Sequence, residues 1–208
     1  MLLLTSSVSM RRTSIILNIH PITVARKLEY MAAQSRIKLA DYLSDCSFVN
    51  AIQFDELQTI EHTKCKPLSV VLAVSAGSRK ILGFKVSQMP ATGYLSSISR
   101  KKYSKRKDLR IKGLVSLFKE LHNKLNPKIT ISSDKCSYYE PVVKQYFPDA
   151  NYTQFKGKKG AVYGQGELKK TSYDPLFYIN HTFAMLRSNI NRLIRKTWCS
   201  TKTRYFIN

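Results

Sequence analysis

The chain has 208 residues, of which 43% are hydrophobic, and it carries 35 Lys and Arg against 13 Asp and Glu, a formal net charge of +22. This hydrophobic content excludes a disordered chain, and the charge predicts attraction to phosphate backbones that weakens as salt rises. No apolar stretch reaches the length of a bilayer span, and the opening Met1-Leu-Leu-Leu is too short and lacks the basic residues of a signal peptide. We therefore expect an intracellular, cytoplasmic (nucleoid-associated) protein with no membrane partner.

Residues 1–48 are predicted to form a separate helical unit. A helix over about residues 9–17, a break at Asn18–His20 and a second helix starting at Pro21 give the pattern of a helix-turn-helix. Thr23, Arg26 and Lys27 would then face DNA, whereas the alternative is an ordinary helical hairpin packed on the main domain. The apolar positions expected to face a core are Met10, Ile15, Leu17, Ile22, Ala25, Leu28, Ala32, Ala33, Ile37, Leu39 and Leu43.

Residues 49–208 are predicted to form the second domain, which begins with three strands. The apolar period changes to two over Asn50–Thr59, Leu68–Ser75 and Lys80–Ser87. The connections at residues 63–67 and 76–79 are short, so neighbouring strands should be antiparallel. A three-stranded meander is expected.

The rest of this domain alternates helices and strands. A basic loop over residues 100–110 precedes a helix whose core positions are Leu114, Leu117, Phe118 and Leu121. A fourth strand over Lys128–Asp134, a helix over Tyr138–Tyr146 and a fifth strand over Asn151–Phe155 follow, and a last helix should run from near Pro175 to about Lys196. This order is that of the α/β ribonuclease H-like fold, with a mixed five-stranded sheet and flanking helices.

Two acids stand in strand-like contexts in this basic chain. Asp55 lies on the first strand and Asp134 ends the fourth, and these strands are neighbours in such a sheet. Two close carboxylates repel each other unless a cation such as Mg²⁺ or Mn²⁺ bridges them. We therefore predict a metal site at Asp55 and Asp134, although Asp134 alone would also be a plausible helix cap. Glu56 should point to the opposite face of the strand and is not expected in the site.

The acids and the C-terminal sequence together resemble bacterial insertion-sequence transposases. The resemblance rests on Asp55-Glu-Leu, on Asp134, and on the segments Gly164-Gln-Gly-Glu-Leu-Lys-Lys, Asp174-Pro-Leu-Phe, Asn180-His-Thr-Phe-Ala-Met-Leu-Arg and Asn191-Arg-Leu-Ile-Arg-Lys-Thr-Trp-Cys-Ser-Thr-Lys. It implies a helix-turn-helix over residues 8–35 and metal-dependent cleavage and strand transfer at transposon ends, with Asp55 and Asp134 as the first two catalytic acids. The third acidic position is occupied by Asn180, and Asp174 and Glu167 are the alternative ligands nearby.

The basic segments are expected to contact double-stranded DNA, both transposon ends and target. Strand transfer needs two transposon ends held together, so a homodimer is expected. The alternatives are a degenerate transposase that binds DNA without turnover and a ribonuclease or repair nuclease on the same fold. Besides the helix-turn-helix residues, the predicted phosphate contacts are Arg100, Lys101, Lys102, Lys105, Arg106, Lys156, Lys158, Lys159, Arg187, Arg192 and Arg195.

Overall fold

The computed structural model describes residues 2–6, 8–44, 49–156, 174–190 and 193. Among the predicted site residues, Lys158, Lys159, Glu167, Arg192 and Arg195 lie outside these ranges.

Three helices form the N-terminal region: α1 (Leu2–Thr5), α2 (Met10–Ile16) and α3 (Pro21–Ser44). The Ser9 side chain accepts a hydrogen bond from the Arg12 backbone N–H and so caps α2. Pro21 is the first residue of α3, a position at which a backbone N–H would have no acceptor within the helix, so proline loses no hydrogen bond there. A helical pair joined by a short break is therefore present, while its role as a DNA-reading helix-turn-helix stays a prediction.

Several N-terminal positions that were expected to be buried are exposed. Ile15 is 69% exposed, Leu17 52% and Ile22 55%, and Ile37 further along α3 is 55% exposed. The reason is that, among the described residues, α2 packs chiefly on α3 and more weakly on α1, so this helical unit has no second layer there to bury both of its apolar sides. Within the described part of the N-terminal region, it is the end of α3 that reaches the main core, through Leu43 and the half-buried Leu39 and Tyr42.

The centre of the protein is a mixed five-stranded sheet in the order β3-β2-β1-β4-β5. The strands are β1 (Ala51–Glu61), β2 (Thr63–Ser75), β3 (Ile81–Gln88), β4 (Thr130–Asp134) and β5 (Asn151–Phe155). The pairs β1–β2 and β2–β3 are antiparallel, whereas β1–β4 and β4–β5 are parallel. The predicted α/β mixed sheet with flanking helices is confirmed, and its topology is compatible with a ribonuclease H-like fold.

Four further helices flank the sheet: α4 (Leu95–Tyr103), α5 (Arg110–His122), α6 (Tyr139–Tyr146) and α7 (Phe177–Asn189). On one face, Phe54 of β1 packs with Phe118 of α5 and Tyr139 of α6. On the other face, Leu57 of β1 packs with Ile179 and Phe183 of α7. Residues of β1 therefore alternate between two separate cores, as a strand covered on both faces requires.

Three predicted boundaries were wrong. Strand β2 begins at Thr63 because His62 adopts a positive φ of 52°, which reverses the chain tightly and lets residues 63–67 pair with β1. Part of the predicted basic loop at residues 100–110 is the end of α4, where buried Ser99 donates to the Cys65 carbonyl at 2.6 Å. The last helix ends at Asn189 rather than near Lys196, since Ile190 has an extended backbone.

Candidate functional site

The sheet places Asp55 and Asp134 side by side. The register of the parallel strands pairs Gln53 with Ser132 and Phe54 with Ser133, and the next residues on each strand are the two acids. Neighbouring strands lie about 4.8 Å apart, and equivalent positions on parallel strands point to the same face. Both carboxylates therefore lie on the face covered by α7, in the two central strands.

The Asp55 carboxylate is in a buried and negatively charged environment. Its Oδ1 accepts hydrogen bonds from the Glu56 backbone N–H at 2.6 Å and from the Tyr139 hydroxyl at 3.4 Å. Burial, followed by repulsion from Asp134, raises the pKa of Asp55 to about 7 despite these hydrogen bonds. The charged form of this carboxylate is therefore unfavourable near neutral pH unless a positive group compensates it.

Asp134 has an unsatisfied oxygen. Among the described residues, no hydrogen-bond partner reaches its buried Oδ1. Burial and the charge of Glu56 both raise the pKa of this carboxyl group. A buried carboxylate oxygen without a donor is expensive in free energy, and a divalent cation with oxygen ligands would satisfy it. The donor set of Asp55 and Asp134 thus fits Mg²⁺ or Mn²⁺.

Glu56 adds a third carboxylate to the electrostatics of the site. It lies on the opposite face of β1, as predicted, yet its charge raises the pKa of both Asp55 and Asp134. Its Oε1 accepts from the Tyr138 hydroxyl at 2.6 Å and its Oε2 from the Ser69 hydroxyl at 2.7 Å. Strand alternation does not predict this influence, because electrostatic repulsion acts through the sheet and does not require that the charges share a face.

Arg110 packs against Tyr138, the tyrosine that donates to Glu56. Its guanidinium lies 5.5 Å from the centre of the Tyr138 ring and forms a bidentate ion pair with Asp108. The paired Asp108 carboxylate has a lowered pKa, chiefly because of its hydrogen bonds with Arg110. The chain of contacts Ser69–Glu56–Tyr138–Arg110 therefore holds a negative charge in a defined position behind the two acids.

Gln53 connects the start of α7 to the strand that carries Asp55. Its Nε2 donates to the Pro175 carbonyl at 2.7 Å, and its Oε1 accepts from the Ile179 backbone N–H at 3.1 Å. The side chain is only 5% exposed. Gln53 and Asp55 are two residues apart and share a face, so this bridge fixes where α7 begins relative to the carboxylate pair. In the sequence, Gln53 stands out as a polar residue in an apolar strand two positions before Asp55, but nothing there indicates its partners.

The candidates for a third ligand are bonded to each other. Asn180 is exposed, and its Nδ2 donates to Asp174 Oδ2 at 2.9 Å. The other oxygen of Asp174 accepts from the Leu176 backbone N–H at 2.9 Å, which forms a turn before α7. Within the described ranges, no three His, Cys, Asp or Glu side chains are grouped to hold a metal ion. The geometry therefore brings together Asp55 and Asp134 as a pair, with Asn180 and Asp174 as a second pair at the start of α7.

The predicted DNA contacts occupy different environments. Thr23, Arg26 and Lys27 on α3 are exposed, as is Lys156 after β5, while Arg187 on α7 is half-buried. Arg100, Lys101 and Lys102 are exposed on α4, and Lys105 is exposed just after it. Arg106 differs, since its guanidinium donates to the Met89 and Pro67 carbonyls and lies 3.7 Å from Glu61. Its contacts make it a structural link within the domain.

Comparison with known proteins gives no family assignment: no protein-family model matches the sequence, and no curated protein matches it either. In the part of the chain that the structure describes, no helix is long and apolar enough to cross a bilayer.

Proposed function

We propose that this protein is a metal-dependent DNA transposase with a ribonuclease H-like catalytic domain, cutting and joining DNA at insertion-sequence ends. The observation that carries the proposal is the pairing of Asp55 and Asp134 on adjacent central strands, with a buried Asp134 oxygen that has no hydrogen-bond donor among the described residues. The charge of +22 supports a polyanionic substrate. The resemblance of the sequence to transposases supports DNA as that polyanion.

In this proposal Asp55 and Asp134 hold Mg²⁺ or Mn²⁺. Such ions, when bound, activate an attacking water or 3′-hydroxyl and stabilise the leaving oxygen in phosphoryl transfer. The Tyr139 hydroxyl and the Glu56 backbone N–H orient Asp55 through Oδ1. Asn180 on α7, or its partner Asp174 just before that helix, would contribute a further oxygen, and Gln53 sets the position of the helix.

A DNA substrate also suggests a role for the N-terminal region, an oligomeric state and a place of action. Residues 1–48 would recognise transposon ends as a helix-turn-helix unit, a homodimer would hold two ends together, and the protein would work in the cytoplasm on nucleoid DNA. Exposed Thr23, Arg26 and Lys27 support the first of these, because an exposed polar helix face is required for contact with base edges.

The test is a cleavage assay on duplex DNA carrying the sequences that flank the protein's own gene. With Mn²⁺, wild-type protein should give nicked or joined products, and Asp134→Asn should give none. Asp149→Asn is the matched control, because it removes the same charge from an exposed carboxylate. Equal products from wild-type protein and Asp134→Asn would overturn the catalytic assignment.

A second function is favoured by one observation at α7. Asn180 stands at the third acidic position and is bonded to Asp174, so the carboxylate pair has no third acid grouped with it in the described ranges. A DNA-binding protein that has lost turnover would fit this arrangement. Salt-sensitive DNA binding without metal-dependent cleavage would support this function over the first.

A further inference from the structure

The β1–β2 hairpin extends well beyond the carboxylate pair. Strand β4 ends at Asp134, but β1 continues for six residues from Asp55 to Glu61 before the chain turns at His62. At about 3.4 Å per residue, the tip of the hairpin lies about 20 Å from the carboxylates along the strand. The hairpin is therefore an extension of the sheet at the edge where the two acids lie.

Helix α4 is fixed against this extension. Ser99 of α4 is buried and donates to the Cys65 carbonyl in β2 at 2.6 Å. Arg106, just after α4, donates to the Pro67 carbonyl of β2 and pairs with Glu61 of β1 at 3.7 Å. These buried and half-buried contacts join the hairpin tip, α4 and the loop that follows into one unit, which we name the basic arm (residues 58–68 and 95–106).

The arm collects positive charge around one aromatic ring. The ammonium groups of Lys66 and Lys102 lie 4.8 Å and 5.6 Å from the centre of the Tyr103 ring, and the His62 ring is 6.3 Å from it. Glu61, an acid at the tip, is paired with Arg106. Lys66 is half-buried, and exposed cations beside it are spread over both parts of the arm: Lys64, Arg100, Lys101, Lys102 and Lys105.

We propose that the basic arm binds the phosphate backbone of duplex DNA about 20 Å from the carboxylate pair, so that the substrate must extend about six base pairs beyond the reacting bond on that side. The length follows from the spacing of phosphates along one strand, about 3.4 Å. Ammonium and guanidinium groups carried on a unit that is itself held by buried contacts supply phosphate contacts that position a duplex without reading its sequence. The proposed length rests on the proposed function, whereas phosphate binding by the arm does not.

The first experiment measures binding of a fluorescein-labelled random 30-bp duplex over a series of salt concentrations, with no divalent metal. The arm variant combines Lys64→Ala, Arg100→Ala and Lys101→Ala, all at exposed positions. The control variant combines Lys119→Ala, Lys124→Ala and Lys128→Ala, which removes equal charge near the end of α5 and the start of β4. Each lost phosphate contact lowers the slope of log affinity against log salt by about 0.9.

We expect the slope to fall by about 2 to 3 in the arm variant and by less than about 1 in the control variant. Equal reductions in the two variants would overturn the arm as a specific surface. The same measurement is made with single-stranded RNA. If the arm variant loses more affinity for RNA than for duplex DNA, the arm binds a different ligand and the proposal is overturned.

The second experiment tests the length with Mn²⁺ and duplexes that extend 2 to 12 bp beyond the cleaved bond on each side. Wild-type protein should lose cleavage when one flank falls below about six base pairs, and the arm variant should be insensitive to that flank. Cleavage that ignores flank length in wild-type protein overturns the proposed distance. Failure of the proposed function gives a different result, namely no cleavage of any duplex while the salt slopes of the two variants still differ.

Discussion

The side-chain amide of Asn180 donates to the carboxylate of Asp174 at 2.9 Å, so two candidates for a third metal ligand form one bonded pair at the start of α7. Asp174 also accepts from the Leu176 backbone N–H. Its replacement by Ala should lower the free energy of unfolding by about 1 kcal/mol through loss of this turn, whereas Asp174→Asn should retain most of it. Urea unfolding measures the free energy of unfolding of both variants.

Mn²⁺ titration of the same proteins separates two roles for Asp174. A ligand role predicts that Asp174→Asn weakens Mn²⁺ binding while stability is kept. A change in stability without a change in Mn²⁺ affinity would remove Asp174 from the site and leave Asn180 as the candidate on α7.

The raised pKa of Asp55 predicts a stability that depends on pH. The unfolded carboxyl ionises near 3.8 and the folded one near 7, so the unfolded state is favoured progressively as pH rises from about 4 to 7. Asp55→Asn should therefore stabilise metal-free protein, and its advantage should grow by roughly 3 kcal/mol between pH 5 and pH 8.

Unfolding by urea in EDTA at the two pH values checks this, with Asp149→Asn as the exposed control. Added Mg²⁺ at pH 8 should raise the free energy of unfolding of wild-type protein and leave that of Asp55→Asn unchanged. A constant difference between wild type and Asp55→Asn at the two pH values contradicts the shifted pKa.

Glu56 should strengthen cation binding from behind the sheet. Glu56→Gln keeps a side chain that can bond to Tyr138 and Ser69 but removes one negative charge. We expect Mn²⁺ affinity to fall about tenfold, because the attraction acts through a medium of low effective dielectric constant. Isothermal titration calorimetry measures the Mn²⁺ affinity. Glu140→Gln is the control, since Glu140 is exposed and paired with Lys144. Equal affinity in Glu56→Gln and wild type would limit Glu56 to a structural role.

Gln53 should control how firmly the start of α7 is held. In Gln53→Glu a carboxylate oxygen replaces the donor to the Pro175 carbonyl, and two acceptors then face each other in a buried position. We expect a loss of about 2 kcal/mol in unfolding free energy and faster hydrogen exchange at Ile179. Exchange measured by mass spectrometry should change in α7 and not in α5. Unchanged protection of α7 would show that apolar packing alone positions this helix.

Gly113 allows α5 to approach β3 closely. A Cβ built at this position would lie 2.1 Å from the Ser87 hydroxyl oxygen, so Ser87 would have to move. Gly113→Ala should therefore destabilise the protein by about 1 to 3 kcal/mol, although Ala favours helix more than Gly does. Adding Ser87→Ala should restore most of the loss in thermal unfolding. If the double variant is no more stable than Gly113→Ala, contact with Ser87 is not the cause.

The meander was predictable because short connections and a period of two restrict β1, β2 and β3 to antiparallel neighbours. The neighbouring positions of β1 and β4, and hence of Asp55 and Asp134, followed from the order of strands and helices, which is that of the ribonuclease H-like fold. The alternation of β1 also placed Glu56 on the other face. The bridge made by Gln53 was not predictable, since its partners lie 122 and 126 residues away in the chain. The start of β2 was missed because it depends on one left-handed residue, His62, whose φ is not visible in an apolar pattern.

The exposed apolar side chains of the N-terminal helices have a consequence for how the protein behaves in solution. Ile15, Ile16, Leu17 and Ile22 present methyl groups to water on a molecule with a net charge of +22. At low salt, mutual repulsion keeps two copies apart, and at roughly 1 M salt the screening length shrinks to about 3 Å. High salt is the usual means of removing bound nucleic acid from a basic protein, and it should therefore also favour self-association through these helices.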